Sequence, residues 1–135
     1  MGVMLFVELE REIPDLADDL CGKALARVNT HLDALAVRLG LVAIEAMTSC
    51  SMEQIADLMG DDPNADLSGY EEEWFDPEEG RRTVRGLLDR LEAHPEEMRG
   101  WKVSPEYILG DLRDALAVFD GACQAQVRFH FTWAV

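Results

Sequence analysis

Four residues between positions 62 and 73 carry the spacing of a calcium loop. With Asp62 as the first ligand, Asn64, Asp66 and Glu73 fall at the third, fifth and twelfth positions that such a loop uses. The sixth position needs a sharp positive-φ turn and holds Leu67, and the apolar eighth position holds Gly69. The expected reading is therefore a solvated acidic loop, with no metal and no cofactor. Cys50, between Ser49 and Ser51, stands just before a predicted helix start, where the macrodipole favours a thiolate. His130 is the base that would complete a thiol nucleophile. Nothing orders that pair, and the surrounding acids oppose a thiolate, so no catalytic residue is assigned.

Two other groups of residues suit binding. Glu71, Glu72 and Glu73 run directly into Trp74 and Phe75, the composition of an aromatic anchor rimmed by carboxylates for a basic protein partner. The same aromatic pair, immediately before a helix start, is the composition of a hydrophobic staple, which is the structural expectation here. Arg128 and His130 share the polar side of an alternating segment near the C-terminus. Together they would hold an anionic ligand, with Glu8 or Glu10 nearby if the first and last strands pair. His31 and His94 have no spacing that suggests metal ligands.

Charge separates these groups. Between Leu39 and Gly80 there are twelve acids and no Lys or Arg, within a chain of formal net charge -15. Such a segment repels polyanions and anionic membranes, so neither nucleic acid nor a membrane is an expected partner. The three cysteines are widely spaced and form no CxxC pair, which fits a reducing, cytoplasmic setting. No basic n-region precedes an apolar stretch near Met1, so no secretory signal is expected. The longest nearly uncharged run, Leu39 to Met47, is too short to span a bilayer.

The elements that must position these residues follow from periodicity. Val3, Leu5, Val7 and Leu9 alternate with Met4, Phe6, Glu8 and Glu10, which predicts a first strand. A helix from about Gly22 to Leu39 carries Leu25, Val28, Leu32 and Leu35 on one stripe, and Gly40 closes it. The apolar run Leu41 to Met47 predicts a buried second strand. Ser51 and Gln54 form a capping box for a short helix through Met59, followed by loop. Asp76-Pro77-Glu78-Glu79 and Ser104-Pro105 start two further helices. Gln126 to Val135 alternates again, with Val127, Phe129, Phe131 and Trp133 inward and Arg128, His130 and Thr132 on a wet polar face.

The expected architecture is one α/β or α+β domain over residues 1–135, with an acidic, loop-rich segment at about 60–76. It has two layers: a three- to four-stranded sheet with about four helices mainly on one face, its first two strands parallel across a βαβ unit.

Met1-Gly2-Val3, the stretch Trp74-Phe75-Asp76-Pro77-Glu78-Glu79-Gly80, and the stretch from Asp111-Leu112 to Val127-Arg128-Phe129-His130-Phe131 resemble uncharacterised small bacterial proteins of the YfbM-like kind. Those begin with Met-Gly and a strand, carry a Trp before a central helix, and end in a helix and an aromatic strand. The segment from Cys50 to Gly69 has no counterpart. The resemblance implies a fold and, because that family has no established activity, no catalytic residues.

The functional expectation is a non-enzymatic, cytoplasmic binding module whose acidic surface faces a basic partner, in the manner of an inhibitor or immunity protein. Self-association stays open. The alternative is a small enzyme or ligand-binding protein working through Arg128 and His130.

Overall fold

The computed structural model describes residues 3–14, 16, 20–49 and 72–134. Its elements are β1 (Met4–Leu9), α1 (Lys23–Arg38), α2 (Pro77–Ala93), α3 (Pro105–Ala125) and β2 (Phe129–Ala134), with 3-10 turns at Glu45–Met47 and Pro95–Met98. The fold is mixed α+β, with three helices and a two-stranded antiparallel sheet among the described residues. β1 pairs with β2 so that Leu5 faces Trp133, Val7 faces Phe131 and Glu8 faces His130.

Three expectations change. Among the described residues the sheet has two strands rather than three or four, and three of the expected helices are present. The capping-box helix from Ser51 lies outside the described residues. Leu41 to Met47 is not a strand: it runs irregularly into a 3-10 turn. The cause lies on α1, where Asp33 accepts from the Ile44 N–H at 2.8 Å and the Glu45 N–H at 3.2 Å. A carboxylate that takes two successive amides removes them from any ladder and starts a turn instead. Ile44 and Met47, three apart on that turn, are both buried. Without that second strand the expected βαβ unit is not formed among the described residues; Thr48 instead makes a single parallel bridge to Phe131 of β2.

Burial raises the Asp33 carboxyl above its ordinary value of 3.8, against the pull of the Ile44 and Glu45 amides. The folded chain then holds that proton to higher pH than the unfolded chain. The stability from this group is full below 3.8 and is lost as pH rises through the raised folded value. Asp33→Asn removes that dependence. Urea midpoints are expected to show a larger cost for the substitution under acid than near neutrality.

The start signals at Pro77 and Pro105 hold. Asp76 caps α2 by accepting from the Glu78 N–H at 2.9 Å, with Pro77 in the first turn. α2 packs on α3, and α3 packs on α1 and β1. Leu5, Leu25, Leu32, Leu87, Leu91, Ile108, Phe119, Phe129 and Phe131 fill the space between them. Phe119, Phe129 and Phe131 meet edge to face, with centroids 4.6, 5.6 and 5.7 Å apart. That geometry suits the aromatic quadrupole.

α1 begins unusually. Its cap position is Gly22, at φ +76°, and a side chain there would run into the Leu5 carbonyl. The Gly22 carbonyl in turn accepts from the Leu5 N–H at 3.0 Å. With no side chain to offer, Gly22 cannot cap the helix. Asp111 of α3 does so from a distance, accepting from Ala24 N–H at 3.0 Å and Leu25 N–H at 3.3 Å.

Candidate functional site

The site lies on the side of the sheet away from the aromatic core. Because side chains alternate along a strand, Glu8 and Glu10 of β1 fall on one face with Arg128 and His130. Antiparallel register then sets Glu8 opposite His130, and Glu10 N–H donates to the Arg128 carbonyl at 2.9 Å. The conditional expectation that the first and last strands pair, and so bring Glu8 and Glu10 to these residues, is met.

The chain re-enters beside this face. Phe75 exchanges two backbone hydrogen bonds with Phe129, at 2.7 and 3.0 Å, which ties the 72–75 limb to the free edge of β2. Ser49 N–H donates to the Phe131 carbonyl at 3.0 Å on that same edge. Glu73 N–H donates to Ser49 Oγ at 3.0 Å and closes the gap between the two limbs. Glu72 and Trp74 are thereby delivered over His130. Trp74 covers its ring at a centroid distance of 4.5 Å, and Phe75 packs on Phe129 of β2, a contact with the sheet and not the helix contact that a staple makes.

The expected wet polar face of the last strand is therefore buried at two of its three residues, while Arg128 stays exposed. His130 and Thr132 are both 0% exposed. The covering side chain, Trp74, comes from a limb distant in sequence, which alternation within the strand does not reveal.

His130 stands among acceptors. Its Nε2 lies 2.8 Å from Glu72 Oε1 and 3.8 Å from Glu8 Oε2. Its Nδ1 lies 3.2 Å from the carbonyl oxygen of Phe131, which can only accept, so Nδ1 carries a hydrogen. Between Nε2 and the Glu72 carboxylate one further proton is needed if the two are to attract. Both carboxylates stay partly open to solvent, with 34% of the Glu8 side chain and 24% of Glu72 exposed.

Arg128 is engaged next door. Its Nε and Nη2 reach the two Glu10 oxygens at 2.8 and 2.6 Å. That hydrogen-bonded fork holds the Glu10 carboxyl below the ordinary carboxylate range and raises the guanidinium further. The face thus offers two carboxylates around a buried imidazole, and its one guanidinium is bound to a third.

The remaining sequence candidates separate. Glu73 is exposed at the neck, while Trp74 and Phe75 are half-buried against His130 and Phe129. Cys50, Asp62, Asn64, Asp66 and Glu71 lie outside the described residues. His31 stacks on Trp101 at 5.1 Å, and His94 ends α2 beside Glu96. Glu72 appeared in the sequence only as one of three acids in a row; its separate place beside His130 is set by the Phe75–Phe129 pairing. No described helix is long and apolar enough to cross a membrane. No protein family model, curated protein or solved structure matches this chain.

Proposed function

We propose that the protein is a non-enzymatic binding module that presents an acidic surface to a basic protein partner, in an inhibitor- or immunity-like role. The observation that carries this reading is the 3.0 Å hydrogen bond between Glu73 N–H and Ser49 Oγ. It draws together the two ends of segment 50–71, which contains six acids and no Lys or Arg. Glu73, Asp76 and Glu79 stand exposed on the returning limb and in the first turn of α2. Glu72 and Glu73 are thus held beside one sheet edge, close to Asp76 and Glu79 in sequence, where their fields add.

Elsewhere many cations are already neutralised. Arg38 and Arg90 meet Glu97, Arg113 meets Glu92, Arg128 meets Glu10, and Arg81 lies near Asp120. An acidic edge of this kind steers a basic partner and sets orientation more than it supplies raw affinity. A cytoplasmic setting belongs to the same reading, since Cys21 and Cys123 are free thiols.

The test compares equal changes of net charge at different places. Immobilised wild-type protein is expected to retain a basic partner at low salt and release it as salt rises. Glu73→Lys is expected to weaken retention about tenfold, whereas Asp89→Lys, on the exposed face of α2, leaves it nearly unchanged. Retention that is indifferent to salt, or equal losses in both variants, would refute the reading.

A further inference from the structure

We propose that Glu8, Glu72 and His130 form a binding site for one divalent transition-metal ion of the zinc, cobalt and nickel class. This inference stands on the sheet face alone and is independent of any basic partner.

The three side chains each offer one ligand atom, and these atoms all lie within 4.8 Å of one another. Ligand atoms around a tetrahedral ion at ordinary Zn–N and Zn–O distances stand about 3.4 Å apart. The observed separations of 2.8 Å from Nε2 to Glu72 and 3.8 Å from Nε2 to Glu8 bracket that value. Small rotations of two half-exposed carboxylates would close the site, and the buried ring need not move.

The imidazole distinguishes this group from an ordinary acidic cluster. His130 is fully buried, clamped by Trp74, and its Nδ1–H points to the Phe131 carbonyl. That is the outer contact by which metal-binding histidines fix their tautomer: a backbone carbonyl takes one nitrogen's hydrogen and leaves the other nitrogen's lone pair for the ion. Here the lone pair belongs to Nε2 and faces both carboxylates.

Charge balance points the same way. With Nε2 of a neutral imidazole and one oxygen from each carboxylate bonded to the ion, the two carboxylates balance its +2 charge. One nitrogen with two oxygens suits a borderline ion; calcium and magnesium prefer all-oxygen shells and larger ligand numbers. The partial exposure of Glu8 and Glu72 gives the ion an entry path, and water completes the fourth position.

Cobalt(II) is the probe, because it is coloured when four-coordinate and quenches nearby indoles. Titration into the metal-free protein is expected to give visible ligand-field absorption that saturates at one equivalent and is displaced by zinc. Glu8→Gln and Glu72→Gln should each weaken binding by about 100-fold, while circular dichroism of the metal-free forms stays unchanged. Trp74→Phe should keep the absorption and lose most of the fluorescence quenching. Absence of ligand-field absorption overturns the site. So does binding that Glu8→Gln leaves unaltered, since Glu8 lies far in sequence from the acids of 53–73. Displacement of cobalt by equimolar calcium would also overturn it, because His130 would then not be a ligand. Loss of this site would leave the salt-dependent behaviour of Glu73→Lys untouched.

Discussion

Asp111→Ala is expected to lower the unfolding free energy by about 2–4 kcal/mol, one of the two largest effects of any single substitution considered. Asp111 is only 7% exposed, and its Oδ2 accepts both the Ala24 and Leu25 amides. These are the donors that a helix's own cap residue normally satisfies. Gly22 cannot satisfy them, because its φ of +76° and its contact with the Leu5 carbonyl exclude a side chain. Removing the Asp111 carboxylate therefore orphans two buried donors at the positive end of α1 and opens space between α1 and α3. Asp111→Asn keeps one oxygen acceptor but turns an amide toward the helix, so it should fall between alanine and wild type. Urea unfolding gives the ranking directly. If alanine and asparagine cost the same small amount, solvent rather than Asp111 is satisfying the helix start.

Asp111 also marks where reading the chain in one dimension stops. It was not visible as a capping residue because its partners are 86 and 87 residues away. The local signals fared well: Asp76-Pro77 and Ser104-Pro105 opened helices, and alternation found both strands. Those signals are written in consecutive residues. Leu41 to Met47 was misread because a short apolar run satisfies a strand and a buried turn equally well. Asp33, from the preceding helix, decided between them. The candidate site divides in the same way. That Glu8 and Glu10 would meet His130 and Arg128 followed from strand pairing. That the face would be closed over by Trp74, with Glu72 at hydrogen-bonding distance from His130, depended on a second chain limb docking on β2.

Gly80→Ala, the second large effect, is expected to cost about 2 kcal/mol even though alanine is the better helix former by about 1 kcal/mol. Gly80 lies in the first turn of α2, where the helix crosses the aromatic core. A methyl group there would overlap the Phe119 ring and stand 2.6 Å from Phe129 Cζ. Neither ring can yield easily. Phe129 is tied through its backbone to Phe75, and Phe119 is held edge-on by Phe129 and Phe131. Gly110, within α3, provides the control, because a Cβ there meets nothing within 4 Å. Gly110→Ala should therefore raise stability by about 1 kcal/mol through backbone propensity alone. The same denaturation experiment on the two variants should yield opposite signs. Because Phe75 hands the chain to the 72–74 limb, displacement of Phe129 in Gly80→Ala should also loosen Trp74 over His130. A red shift in tryptophan emission that appears in Gly80→Ala and not in Gly110→Ala would register that coupling. Two glycines that gain alike would mean that the aromatic core gives way at little cost, and the close crossing of α2 would then not set the position of the limb beside the site.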